Sequence, residues 1–248
     1  MTTTENFRTI RSWNSLITEE IVLVLLAYGV FAAYAAEWIS FWVMQSLMMV
    51  YMFRIFTLRH ERSHSGILTT RKALLLNLLD FHHSPFQEPV NGGMSKHLDH
   101  HRAHLATRKF SLTENPHGYL DHSFFISLLS AIFYEEFMFI LDARREGGLS
   151  HERRIQLVVS TFVLAFLFMI VNVKTMLLFF LAYRIALAAT WFSFSYVLHL
   201  PFFYEKQLGE HLPQFMKTGI EWVFGSGFVT AVFYHRFHHA KPKTFYKV

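Results

Sequence analysis

Three short histidine clusters are the part of this chain that could do chemistry. In the first, His60-Glu61-Arg62-Ser63-His64, two imidazoles four residues apart fall on one face of a helix. In the second, His97-Leu98-Asp99-His100-His101, three sit at relative positions 0, 3 and 4, and His235-Arg236-Phe237-His238-His239 repeats that pattern. On a helix those positions form one wide stripe, while adjacent residues diverge by about 100° and reach two different ions. A lone pair of this kind on a polar helix is more often solvated surface. Two triplets and a pair on one face are hard to assign that way. A single zinc takes three or four ligands, so the eight imidazoles imply more than one ion.

The chain has no cysteine, which removes disulfides, thiolate-ligated haem, ordinary iron–sulfur clusters and Cys-based zinc sites. Nitrogen and oxygen must hold any metal, and imidazole suits zinc, copper, nickel and iron alike. His60 to His64 also matches H-E-x-x-H, in which Glu61 would be the general base of a zinc metalloprotease. That reading needs one further ligand and leaves both triplets unexplained. A metal transporter is the non-enzyme alternative, but transport sites lie near the bilayer midplane, whereas these clusters fall at one surface.

The elements that must position the clusters are hydrophobic. Of 248 residues, 52% are hydrophobic and only 17% charged, which suits a bilayer better than water. Two blocks are each long enough to cross a hydrocarbon core twice. Residues 17–58 are interrupted by Glu37, with Trp38 and Trp42 beside it, as expected of a hairpin tip at the membrane–water interface. Residues 155–200 are interrupted by Asn172, Lys174 and Thr175. The expected architecture is all-α and integral to the membrane. Four transmembrane helices form two hairpins, with a helical cap carrying the histidines, in one domain over 1–248. Residues 59–154 form the layer between the hairpins and 201–248 the closing segment.

The two tips hold only Lys174, while Arg8, Arg11, residues 59–154 and the tail hold nearly all other Lys and Arg. The positive-inside rule then puts both termini and every cluster on the cytoplasmic side. The net charge of +5 reads as this signal and as attraction to anionic headgroups, and not as nucleic-acid binding. Residues 1–15 lack the apolar core of a cleavable signal peptide, so the first hairpin is expected to direct insertion. Within the layer, Ser84-Pro85, Asn91-Gly92-Gly93 and Asn115-Pro116 read as turns. Residues 119–141, with Glu135 and Glu136 in their middle, read as one apolar helix flat on the surface, because adjacent acids are costly at mid-bilayer. Residues 217–234 read as a second such helix after Pro201, leading into the last histidines. His199, at the end of the second hairpin, falls level with the clusters and is a ninth candidate ligand.

The order H-x-x-x-H, H-x-x-H-H, a single His, then H-x-x-H-H, set around two hydrophobic hairpins, resembles the membrane fatty acid desaturase superfamily. That superfamily also includes hydroxylases, alkane monooxygenases and carotenoid ketolases. The tail Tyr234-His235-Arg236-Phe237-His238-His239-Ala240-Lys241-Pro242 resembles its final box, and the likeness runs over about residues 54–246. The resemblance implies ligation by His60, His64, His97, His100, His101, His199, His235, His238 and His239 of two iron ions, which zinc can replace in a purified sample. It further implies dioxygen as co-substrate, attack on an unactivated C–H bond of an apolar, lipid-like substrate, and electrons from an external ferredoxin, rubredoxin or cytochrome. Fatty acyl desaturation is the leading expectation, and hydroxylation or ketolation of an isoprenoid or alkyl substrate the second. Two departures leave the subfamily open: the chain ends soon after the last box, and Ser195 stands where some acyl desaturases have an asparagine near the metal.

The remaining candidates are supporting ones. Glu61, Asp80 and Asp99 are candidates to orient ligand imidazoles through the second ring nitrogen, and His104 is a spare ligand or a partner of one. His82 and His83 read as turn residues; His117, His122, His151 and His211 as interfacial. Gln45 and Arg184 are polar within the spans and are candidates for the substrate tunnel. For Arg184, pairing with an acid or a carbonyl inside the bundle is the preferred expectation. A basic face of Arg59, Arg102, Arg108 and Lys109 would dock an acidic electron donor or simply be solvated.

Overall fold

The computed structural model describes residues 7–66, 68–80, 84, 86, 87, 89–107, 123–145, 147–200, 208–225 and 227–247. The side chains of residues 70, 78–80, 92, 103–107 and 145 also lie outside the description. Among the described residues, four helices are long and apolar enough to cross a membrane: α1 (Trp13–Ala35), α2 (Phe41–Ser63), α7 (His151–Ile170), and α8 (Val173–Ser195) with the 3-10 turn Val197–His199 that follows it. Each begins at a residue that Ser or Asn can cap. Ser12 accepts a hydrogen bond from the Ser15 backbone, Ser40 from Val43, Ser150 from Arg153 and Asn172 from Thr175, satisfying one otherwise unpaired donor in each first turn.

The hairpin tips fall where the apolar runs are interrupted. Glu37 has φ +60°, the chain reverses between α1 and α2, and Trp38 and Trp42 are 82% and 74% exposed there. Helix α2 packs mainly against α8 and α1. Leu23, Met44, Met48, Ile55, Ala186 and Leu187 lie in the shared core, while Leu25, Leu26, Phe162, Phe166, Met169 and Leu177 face outward. Helices apolar on their outer faces as well as their inner ones need an apolar solvent.

The intervening elements are α3 (Thr70–Asp80), α4 (Val90–Thr107), α5 (Phe124–Ile132) and α6 (Tyr134–Arg145). After the second hairpin come the 3-10 turn Leu208–Glu210, then α9 (Gln214–Phe224), α10 (Phe228–Phe233) and α11 (His235–Ala240). Strand β1 (Phe7–Thr9) pairs antiparallel with β2 (Thr244–Tyr246), Phe7 opposite Tyr246, and so ties the two ends of the chain together.

Three local expectations are corrected. Residues 119–141 are not one helix: α5 and α6 meet at a bend of 80°, so Glu135 and Glu136 open α6, where acids suit the helix dipole. Residues 217–234 are split by Gly225 (φ +98°) and Gly227 (φ +101°), a backbone conformation that glycine alone adopts cheaply. There the buried Glu221 carboxylate accepts from the backbone N–H groups of Gly227 (2.6 Å) and Val229 (2.7 Å). Asn91-Gly92-Gly93 is not a turn but lies in the first turn of α4. Asn77 of α3 accepts from the Val90 N–H (2.8 Å), and the Asn91 amide bonds both the N–H and the carbonyl of Leu68. The helix start is therefore capped by a residue distant in sequence, which local turn signals do not report.

Candidate metal centre

Four elements bring nine imidazoles together. His60 and His64 end α2; His97, His100 and His101 lie along α4; His199 closes the 3-10 turn after α8; His235, His238 and His239 lie on α11. They fall into two groups. His60, His64, His97, His101 and His238 have ligand atoms within 4.8 Å of one another, and so do His100, His199 and His239. His235 joins the second group, its Nε2 lying 3.2 Å from Nε2 of both His199 and His239. Adjacent residues divide between the groups: His100 from His101, and His238 from His239.

The spacing within each group fits a cation. In the first, Nε2 to Nε2 distances are 3.1 Å for His60–His238, 3.1 Å for His238–His64, 3.0 Å for His64–His97 and 3.1 Å for His97–His101. In the second they are 3.3 Å for His100–His199 and 3.2 Å for His199–His235. Two nitrogens held at about 2.1 Å from one ion lie about 3.0 Å apart at a right angle and about 3.4 Å apart at the tetrahedral angle. A neutral Nε2 has one proton or one lone pair and cannot satisfy several neighbours at once. A positive ion among lone pairs can.

Electrostatics favour the same state. Burial first, then neighbouring imidazoles, holds His97, His101, His238 and His239 well below the usual histidine pKa, so they are neutral, as metal ligands must be. His235 donates Nδ1–H to the Ala231 carbonyl (2.7 Å), which leaves its Nε2 lone pair for the group. Nδ1 of His60, His101 and His238 is buried with no hydrogen-bond partner among the described residues. The donor set of both groups is imidazole alone. A buried histidine cluster able to hold metal is thus present in the structure.

Of the supporting candidates, Glu61 and Asp99 pair with arginines and not with imidazoles, whereas Arg184 pairs inside the bundle as expected. The Glu61 carboxylate is fully buried but bonds no imidazole among the described residues. It accepts from Arg8 Nη1 (2.6 Å) and Nη2 (3.1 Å), and from Arg11 N (3.0 Å) and Nε (3.2 Å). Asp99 is exposed and pairs with Arg102 at 2.9 Å, because it projects from α4 away from the histidine stripe. The side chains of Asp80 and His104 lie outside the described residues, as do His82, His83, His117, His122, Arg108, Lys109 and Pro201. Ser195 is buried at the end of α8. Gln45 donates its amide to the Ala182 carbonyl (3.4 Å), joining α2 to α8, and does not line the cavity that reaches His60. Arg184 pairs with Glu136 and donates to the Ile132 carbonyl at 3.1 Å, joining α8 to α6 and the bend before it. Arg59 bonds Glu20 at 3.3 Å.

Three features escaped sequence reasoning. Glu20, within the first apolar run, is fully buried and binds Arg59 and Arg62; an acid inside a predicted span was the available signal. The β1–β2 pair is too short to leave a pattern. The third is the lining of a cavity of about 180 Å³ that reaches His60 and His97, because the expected tunnel residues Gln45 and Arg184 do not line it. Its apolar wall includes Met52, Ile55 and Phe56 of α2, Met138 of α6 and Leu187 of α8, and Trp191 stacks on Tyr134 there at 3.6 Å.

Compared with protein-family models, curated proteins and solved structures, the chain matches none.

Proposed function

We propose that this chain is an oxygen-dependent membrane oxidoreductase that uses two iron ions to attack unactivated C–H bonds of an apolar substrate, with fatty acyl desaturation as the leading reaction. The observation that carries this reading is the juxtaposition of nine convergent imidazoles with an apolar cavity whose wall includes His60 and His97. The resemblance of the histidine boxes to membrane desaturases supports it.

Under this reading His60, His64, His97, His101 and His238 hold one ion, and His100, His199, His235 and His239 the other. Bound iron would supply dioxygen activation and the power to remove hydrogen from carbon, with electrons delivered by an external ferredoxin, rubredoxin or cytochrome. The chain's own part is to orient and to exclude water. Met52, Ile55, Phe56 and Leu187 form an apolar wall that desolvates an alkyl segment and holds it against the His60–His97 side of the cluster. The four apolar helices would span the bilayer as two hairpins, with both termini and the metal centre on the cytoplasmic side by the distribution of Lys and Arg. The metalloprotease reading loses support because Glu61 is held by Arg8 and Arg11 and is not turned toward the imidazoles.

Metal analysis of purified protein, with mass spectrometry of lipids and small apolar molecules from cells supplied with an electron donor, tests the proposal. Two metal ions per chain and an oxidised product that disappears in His100→Ala are expected. One ion per chain, or a profile unchanged by expression under adequate electron supply, would overturn it.

A further inference from the structure

The two adjacent acids of α6 have different surroundings. Glu136 is neutralised by Arg184. Glu135 instead lines the cavity that reaches His60 and His97, and it is only 7% exposed. Its Oε1 accepts from the Tyr183 hydroxyl at 3.5 Å, the Ser84 hydroxyl also acts on the carboxyl, and its Oε2 is buried with no partner at hydrogen-bond distance among the described residues. An acceptor left unsatisfied in a buried cavity whose wall is only partly polar is costly, and a donor brought by a ligand removes that cost.

The cations on the same wall are engaged elsewhere. Arg59 and Arg62 bind Glu20, and Lys96 binds Asp142 at 2.7 Å. A ligand carboxylate entering here would bury a second acid beside Glu135, with each of these cations already facing a carboxylate. A neutral hydroxyl can donate to Oε2 without burying a second charge.

We infer that Glu135 recognises a hydroxyl group on the substrate, so that the cavity takes a neutral, hydroxyl-bearing lipid in preference to a free fatty acid. This rests on the oxidative reading above for calling the ligand a substrate, and it narrows that reading to alcohols, whether acyl lipids with a free hydroxyl or isoprenoid alcohols. The hydroxyl would anchor one end of the molecule at Glu135 while its alkyl part lies along the wall toward His60.

Saturable binding of radiolabelled 1-hexadecanol to the detergent-solubilised full chain, compared with hexadecyl methyl ether and hexadecanoate, provides the test. The ether keeps the chain and the oxygen but cannot donate. The alcohol should bind about tenfold more tightly than the ether, the worth of one buried hydrogen bond, and more tightly than the carboxylate. In Glu135→Leu, with wild-type metal content as the check on folding, alcohol and ether should become equal. Equal affinities in the wild type, tighter binding of hexadecanoate, or a preference that survives Glu135→Leu would overturn the inference. The ligand comparison in the wild type decides the matter even where the variant does not fold. Binding is read without turnover, so a preserved alcohol preference with no oxidation would sink the oxidative reading alone.

Discussion

Nε2 of His64 lies 3.1 Å from Nε2 of His238, although 174 residues separate them. One imidazole ends a membrane-type helix and the other sits on a two-turn helix near the end of the chain. Their meeting would make metal retention a property of the whole fold. Removing His238 or His64 should therefore lower affinity at the five-histidine group and leave the other largely loaded. His199→Ala should do the reverse. Metal content after dialysis against a weak chelator is expected to fall from two ions toward one in each variant. Loss of both ions in all three, with folding retained, would show that the two groups do not bind independently.

Acid should loosen the metal-free protein. A histidine whose folded pKa is depressed contributes stability that is present above the unfolded value of about 6.5 and is lost as pH falls toward the folded value. His97, His101, His238 and His239 all shift in that direction. Glu221 opposes them. Burial raises its pKa to about 7, so its contribution is present below about 4.5 and lost as pH rises through 7. Each group is worth at most about 1.4 kcal/mol per pH unit, and four histidines outweigh one carboxylate. The melting temperature of metal-free protein should drop as pH is lowered from 7 to 5.5; a flat or rising profile would contradict neutral, buried imidazoles.

Glu61→Gln should destabilise the chain by about 3 kcal/mol, because it leaves Arg8 and Arg11 facing an amide in a largely buried site. Oxidation should persist in whatever fraction stays folded. A variant of wild-type stability would mean that the arginine pair contributes little to tying the N-terminal strand to α2. Complete loss of turnover at unchanged stability would return Glu61 to the chemistry.

The ion pair between Arg184 and Glu136 makes their substitutions non-additive. Arg184→Leu alone leaves an unpaired acid at the start of α6, and should cost more than the double replacement with Glu136→Leu does relative to it. A thermal-denaturation cycle should give a coupling of about 1–2 kcal/mol. Strict additivity would release Arg184 from its structural role and revive it as a contact for a polar substrate end.

Periodicity and composition made the helical character, the four apolar helices and both tips legible. Glu37 and Asn172 interrupt apolar runs where the chain turns, and local rules cover such positions. The nine imidazoles were equally legible from the 0, 3, 4 spacing of the two triplets and the level of His199. The bend before Glu135, the break at Gly225 and Gly227, and the cap of α4 by Asn77 were not. Each is set by a partner distant in sequence or by a conformation that several backbones could satisfy locally.

The amino-acid sequence by itself determined which side chains offer lone pairs, that no thiolate competes with them, and that adjacent histidines on a helix diverge and can serve two different groups. Only the tertiary structure decided the assignment of His235 to the second group, the removal of Glu61 from the imidazoles by Arg8 and Arg11, and the exposure of Glu135 and not Glu136 to the cavity. The physical reason is the range of the forces involved. Helical periodicity and hydrophobic transfer act within a few turns of chain, whereas ion pairs and imidazole convergence depend on which distant helices pack against one another.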